Sequence, residues 1–169
     1  IVNNLRMAGR LDEAQEFLAA APEFPPSARN EGGDPNEDRH YLTLIASDLA
    51  LARGDATRAL KIFPLALLTP PGRLHPSARI DTRPAAVYGR VLCANGRYQH
   101  GLAVMREVVA QDAANHYEHD PRLAFRRAIA GQCALGAGDR QSARAFAQQA
   151  RESFTVQPGV SNFYKAPLL

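Results

Sequence analysis

One short string returns four times in this chain, and the recurrence narrows the possible folds more than anything else in the sequence. The four copies are Gly9-Arg10-Leu11-Asp12-Glu13-Ala14, Gly54-Asp55-Ala56-Thr57-Arg58-Ala59, Gly96-Arg97-Tyr98-Gln99-His100-Gly101 and Gly138-Asp139-Arg140-Gln141-Ser142-Ala143. Each opens on Gly, continues with Arg or Asp, and holds a small residue five places after the Gly. The glycines are 45, 42 and 42 residues apart. A fixed period of this length marks a repeat architecture, in which each unit buries its apolar face only by stacking on its neighbours.

The segments on both sides of each Gly carry helical periodicity. Tyr41, Leu42, Leu44, Ile45, Leu49 and Leu51 precede Gly54, and Ala59, Leu60, Ile62, Phe63, Ala66 and Leu67 follow it. Ala86, Val87, Val91 and Leu92 precede Gly96, with Leu102, Val104, Met105 and Val108 beyond. Phe125, Ile129, Ala130, Cys133 and Leu135 precede Gly138, with Ala143, Phe146, Ala147, Ala150 and Phe154 beyond. Such spacing puts the apolar side chains on one face of a helix. Each Gly is then expected to end one helix and turn into the next, because it enters the left-handed conformation without a Cβ clash. Asp12, Asp55 and Asp139 stand near the following helix start, where a carboxylate favours the exposed N–H groups. Pro64 interrupts the second helix after Gly54 and is expected to kink or shorten it.

In this register the sequence resembles the tetratricopeptide repeat family, whose hairpin turn carries Gly, often Asp or Arg, an aromatic, and an Ala five residues on. Gly96-Arg97-Tyr98 fits well, with Gly101 in the place of the Ala. The small residue that the family places seven before the turn Gly is matched by Ser47, Gly89 and Gly131. The large apolar residue four beyond the Ala is matched by Leu18, Phe63 and Met105, and weakly by Ala147. The family's Pro, twelve beyond the Ala, is matched by Pro26 and Pro71 only. The common repeat is about 34 residues and this one about 42, so the chain looks like the long-linker variety of kinesin light chains and MalT-type bacterial regulators. The resemblance implies an all-α fold: a right-handed superhelical array of about four helix-turn-helix hairpins in a single repeat domain over 1–169. The repeats fall at about 1–21, 37–68, 80–112 and 121–155, with a tail at 156–169. The extra residues fall in 22–38, 69–83 and 112–121.

The ends carry their own expectations. Ile1 rather than Met opens the chain and an apolar Leu169 closes it, so the chain is expected to be a piece of a longer protein. Pro84 and Pro121 suit first helical positions. Pro158-Gly159 breaks the last long helix; Ser161 is placed to cap a further short one, and Phe163, Tyr164, Leu168 and Leu169 are expected to cover the exposed end of the last repeat, which needs a cap.

The chemistry-bearing residues argue against catalysis. The chain has no Gly-x-Ser-x-Gly elbow, no Gly-rich phosphate loop and no recognised catalytic string around either Cys, so it is not expected to be an enzyme or to hold a cofactor. His116-Tyr117-Glu118-His119-Asp120 is the nearest thing to a metal site; the plainer reading is a solvated polar loop. Two cysteines, Cys93 and Cys133, are too few for a disulfide framework and read as reduced, core-filling thiols. No apolar run approaches the roughly 18 residues of a membrane span, and 20 basic against 17 acidic residues is too small an imbalance for direct nucleic-acid binding. A cytoplasmic location is expected.

The family's concave groove is lined by the first helix of each hairpin. Counting back 13, 10, 6 and 3 places from the turn glycines puts Tyr41, Leu44, Asp48 and Leu51 there, then Arg83, Ala86, Arg90 and Cys93, then Phe125, Ala128, Gln132 and Leu135, with Asn3 and Arg6 from the first hairpin. Arg6, Arg83 and Arg90 are either forks for a partner's carboxylate or solvated surface arginines. The Lys and Asn clamp of chaperone-binding members is absent, since its places hold Leu44, Ala86 and Ala128, and Asp48, Arg90 and Gln132. The resemblance therefore implies a non-catalytic scaffold or sensor that holds a protein or peptide segment, within a bacterial Ser/Thr kinase or transcriptional regulator. Small-molecule sensing in the manner of the MalT-type regulators, and self-association through the repeat ends, are the alternatives.

Overall fold

A computed structural model of the chain describes residues 1–20, 35–68, 81–115, 117–157, 159–160, 162–165 and 167, with the backbone alone for 35–39. All regular structure among them is helical. The elements are α1 (Val2–Met7), α2 (Leu11–Ala20), α3 (Pro35–Ala52), α4 (Ala56–Ile62), a single 3-10 turn at Leu65–Leu67, α5 (Arg83–Ala94), α6 (Tyr98–Asn115), α7 (Pro121–Gly136), α8 (Arg140–Thr155) and α9 (Asn162–Lys165). They fall into two compact units, Ile1–Arg73 and Leu74–Leu169.

The four repeated strings are four hairpin turns of one construction. Gly9, Gly54, Gly96 and Gly138 have φ of 74°, 83°, 75° and 82°, and among the described residues positive φ occurs only there. In each turn the Gly N–H bonds the carbonyl three residues back, and the next N–H bonds the carbonyl five back: Arg10 to Leu5, Asp55 to Ala50, Arg97 to Leu92 and Asp139 to Ala134. This paired pattern satisfies carbonyls that the ending helix leaves open. The next helices then start on caps. Asp55 accepts from the Arg58 N–H at 2.9 Å, and Asp139 from the Ser142 N–H at 3.0 Å.

The small residues around the turn mark where the two helices of a hairpin cross. Ser47 is fully buried and its Oγ donates to the Ala59 carbonyl at 2.8 Å. In the third hairpin both places are glycine: a Cβ on Gly101 would lie 2.3 Å from Cys93 Sγ and 2.9 Å from the Gly89 carbonyl oxygen. That close approach explains why Gly101 stands where the family has Ala.

In the first unit, Val2, Ala14 and Leu49 form the core, with Leu5, Leu11, Phe17, Leu18 and Ile45 against it. The helix after Gly54 is shortened as the Pro64 reading anticipates: α4 ends at Ile62, Phe63 turns extended, and the 3-10 turn follows. Helix α3 begins at Pro35, inside the stretch expected to be linker. In the second unit, Leu102, Met105, Val108, Leu123, Ile129 and Ala130 are the centre of the core. Helix α6 runs on to Asn115, three residues past the expected repeat end, and Asp112, the last residue of that repeat, is buried. Pro84 lies in the first turn of α5, and Pro121 opens α7 behind an Asp120 cap that accepts from the Arg122 N–H at 2.7 Å.

The cysteines correct the sequence reading. Cys93 on α5 and Cys133 on α7 form a disulfide, with Cα atoms 5.5 Å apart. They are not reduced thiols. Their separation of 40 residues is close to the 42-residue repeat, and residues one repeat apart lie side by side when first helices stack.

Candidate partner-binding faces

The groove positions expected from the repeat fall on the first helix of each hairpin. In the first unit Asn3 and Arg6 lie on α1, and Tyr41, Leu44, Asp48 and Leu51 on α3. Leu44 is buried, Tyr41 and Leu51 half-buried, and Asn3 exposed. Arg6 is not a solvated arginine. Its Nε sits 3.2 Å from Asp48 Oδ2, with 9% and 13% of the two side chains exposed, and its Nη2 donates to Asn3 Oδ1 at 2.7 Å. The guanidinium expected to receive a partner's carboxylate already carries one from its own chain. A second ion pair, Arg53 Nη1 to Asp12 Oδ1 at 2.6 Å, ties the same two hairpins at the surface.

In the second unit Arg83 and Arg90 lie on α5, and Phe125 and Gln132 on α7. The structure brings three of these four into one arrangement. Arg83, with 70% of its side chain exposed, turns to Asp81 and donates through Nε and Nη2 at 2.7–3.0 Å. Arg90 places its guanidinium carbon 5.3 Å from the Phe125 ring centre, within reach of a cation–π attraction. Phe163 of α9 stacks on Phe125 at 5.2 Å and 22°, and Tyr164 meets it edge-on at 5.9 Å and 86°. Gln132 Nε2 donates to the Pro167 carbonyl at 2.9 Å. Val160 and Tyr164 also cover the cluster of Ala124, Ala128, Ala150 and Phe154.

The tail thus lies on the groove positions of α7 and also covers Ala150 and Phe154 of the last hairpin. Phe163 and Tyr164 lie against the expected groove position Phe125; Ser161, Leu168 and Leu169, also expected in the cap, lie outside the described residues. An aromatic ring and an alanine floor receive Phe163 and Tyr164. The outer side of α8 is an open depression that includes Arg140, Arg144, Arg151 and the exposed Leu135 and Val156.

Charge inside the second unit is concentrated at a site the sequence reading missed. Asp112 of α6, with 2% of its surface exposed, pairs with Arg126 Nη1 of α7. Thr82 Oγ1 donates to the other carboxylate oxygen at 2.7 Å, and Arg126 Nη1 also reaches Thr82 Oγ1 at 2.5 Å. The available signal was Asp112 itself, which continues the apolar stripe of Met105, Val108 and Val109 at helical spacing. A buried carboxylate on such a stripe needs a cation nearby. At the α8 start, the Ser142 hydroxyl and N–H hold the Asp139 carboxyl below the usual carboxylate range, with further attraction from Arg106; Arg106 Nη2 is 2.7 Å away.

The polar string at 116–120 contributes main-chain acceptors and a cap: Arg127 donates to the Glu118 carbonyl and Gln157 to that of His119. Tyr117 is 90% exposed, and His116 lies outside the described residues. Among the described residues no three His, Cys, Asp or Glu side chains gather as metal ligands, and no helix is long and apolar enough to cross a membrane. Comparison with protein-family models, with curated proteins and with solved structures gives no match.

Proposed function

We propose that the chain is a non-catalytic protein-binding module: a tetratricopeptide-like array whose hairpins continue into a right-handed superhelix and hold a partner segment on their first helices. The observation that supports this best is the α5–α7 face, where Arg90, Phe125 and Gln132 already hold a short segment of chain by ring stacking and a donated hydrogen bond. That is how peptide-recognition surfaces work, with pockets for side chains and a few fixed polar groups for the main chain. The long-linker repeat favours a place as scaffold or sensor within a bacterial signalling protein, a Ser/Thr kinase or a transcriptional regulator. A cytoplasmic location is part of this reading, with one feature against it: disulfides persist in oxidising compartments and are rare in the cytosol. Titrating free thiols in protein isolated from its source decides that point.

The test of binding is affinity capture from the source cell with the full chain, using Arg90→Glu as control. A partner recovered by the unaltered chain and lost with Arg90→Glu supports the module. An identical partner set with the variant moves the interface off this face, and no partner above background sinks the reading. Self-association through the repeat ends is a second reading, favoured by the exposure of Leu135 (63%) and Val156 (57%) on the outer side of the last hairpin. A sedimentation coefficient independent of concentration would remove it.

A further inference from the structure

The α5–α7 face already carries a segment of this chain, and the chemistry of that occupant says what the face selects. We propose that Arg90, Phe125 and Gln132 recognise partner segments bearing two adjacent aromatic residues, and that this chain's own Phe163-Tyr164 pair holds the site until such a partner displaces it. The proposal rests on the protein-binding reading above and adds the ligand class and its regulation.

Three observations carry it. The two aromatics use different faces of one site: Phe163 stacks on Phe125 while Tyr164 stands edge-on to both rings, 5.4 Å and 79° from Phe163. Stacked and edge-on pairs at these distances are favourable geometries for aromatic rings. A single aromatic would leave half of that arrangement empty. Next, the polar contact reads main chain. Gln132 donates to a backbone carbonyl, that of Pro167, so any segment running the same course supplies the acceptor whatever its side chains. Last, the occupant is weakly built. Helix α9 has four residues, far below the roughly 12–15 an isolated helix needs to hold itself, and Phe163, Tyr164 and Lys165 are only half-buried. Its own hydrogen bonds contribute little, so the contacts its side chains make with the rest of the unit, among them the packing of Tyr164 on Ala124, Ala128, Ala150 and Phe154, hold it together with its tether to α8.

A short tether gives an effective concentration on the order of 1 mM. If the contact has a dissociation constant of about 100 µM, the site is closed roughly tenfold, and a competing segment binds about tenfold more weakly than to an open site. The experiment uses the full chain, unaltered and as Phe163→Ser/Tyr164→Ser, titrated with a fluorescein-labelled peptide of residues 159–169 and followed by anisotropy. The expected result is binding at least about tenfold tighter to the double variant, lost when the peptide itself lacks both aromatics, and weakened when Gln132→Ala is added. Failure of the peptide to bind the double variant, or equal binding to both chains, overturns the proposal. Should the variant lose its helical circular dichroism, the unaltered chain answers instead: millimolar unlabelled peptide shifts the Phe163 and Tyr164 ring resonances to free-peptide positions if the site exchanges occupants, and unmoved resonances overturn it. A dimer of the unaltered chain that the double variant lacks also overturns it, by giving the site to a second copy. None of these outcomes alters the capture experiment, whose control is Arg90→Glu with the tail intact.

Discussion

Asp112 shows at the residue scale how polar groups hold the second unit. Taking a carboxylate out of water costs several kcal/mol unless a cation and further donors replace the lost hydration. Arg126 and Thr82 supply both, from α7 and from the residue that precedes α5. Arg126→Met strips the cation while leaving Asp112 buried, and is expected to cost about 3–5 kcal/mol in urea unfolding. The double change Asp112→Leu/Arg126→Met replaces the whole pair by apolar groups and is expected to recover most of that loss. A single-variant cost below about 1 kcal/mol, the range of exposed pairs, would mean water reaches the carboxylate. Asp139 makes the contrasting case at the surface. Ser142 first, and then Arg106, lower its pKa in the folded chain, so its contribution is present above the unfolded carboxylate value of about 3.9 and is lost as pH falls through the lower folded value. Asn caps a helix about as well as Asp, so Asp139→Asn isolates the charge. Unfolding midpoints of the two proteins should differ at pH 5 and converge toward pH 2; curves that stay parallel would remove the charge from the account.

At the scale of the elements, the third hairpin is a close helix crossing, with glycine at both Gly89 and Gly101. The family pattern invites Gly101→Ala, which would raise intrinsic helix propensity. The crossing forbids it: the new Cβ would meet Cys93 Sγ, fixed in a disulfide, and the Gly89 carbonyl oxygen of the facing backbone. Overpacking of this kind typically costs 1–3 kcal/mol, so the variant should melt below the unaltered chain by differential scanning calorimetry despite the better propensity. A higher melting temperature would show that α5 and α6 have room to separate. The same hairpins show what a sequence can reveal. The turn glycines, the Asp55 and Asp139 caps and the break at Pro64 are set by backbone sterics and local hydrogen bonds, and they were legible from neighbouring residues alone. Helix α6 runs to Asn115, and its Asp112 meets Arg126 fourteen residues on, a pairing that no local window contains. Of the candidate site, Arg90, Phe125 and Gln132 follow from counting back along the repeat. That Phe163 and Tyr164 would lie on them depends on tertiary packing of the tail, and the pairing of Arg6 with Asp48 joins two different hairpins, so neither shows in a local window.

At the scale of the whole molecule, the chain resolves into two compact units, and the disulfide lies entirely within the second. It joins first helices of successive hairpins, so it closes the loop that contains α6 and ties together elements that a repeat protein otherwise holds by packing alone. Cross-linking residues 40 apart removes loop-closure entropy from the unfolded chain worth about 4 kcal/mol in the chain-entropy account, with about 2–4 kcal/mol typical of measured bonds. Both sulfurs sit in the core, Cys133 fully buried and Cys93 9% exposed, so an apolar replacement leaves the packing nearly intact and isolates the cross-link. Cys93→Ala/Cys133→Ala is therefore expected to lower the amide-exchange protection of the slowest positions in α5, α6 and α7 by roughly 30-fold to 1000-fold, the exchange equivalent of that free energy. Reducing the unaltered chain should reproduce the effect without any change of side-chain volume. If both treatments leave protection unchanged, the stacking of α5 on α7 is sustained by the alanine-rich packing and the Asp112–Arg126 pair, and the bond adds nothing to the stability of the unit.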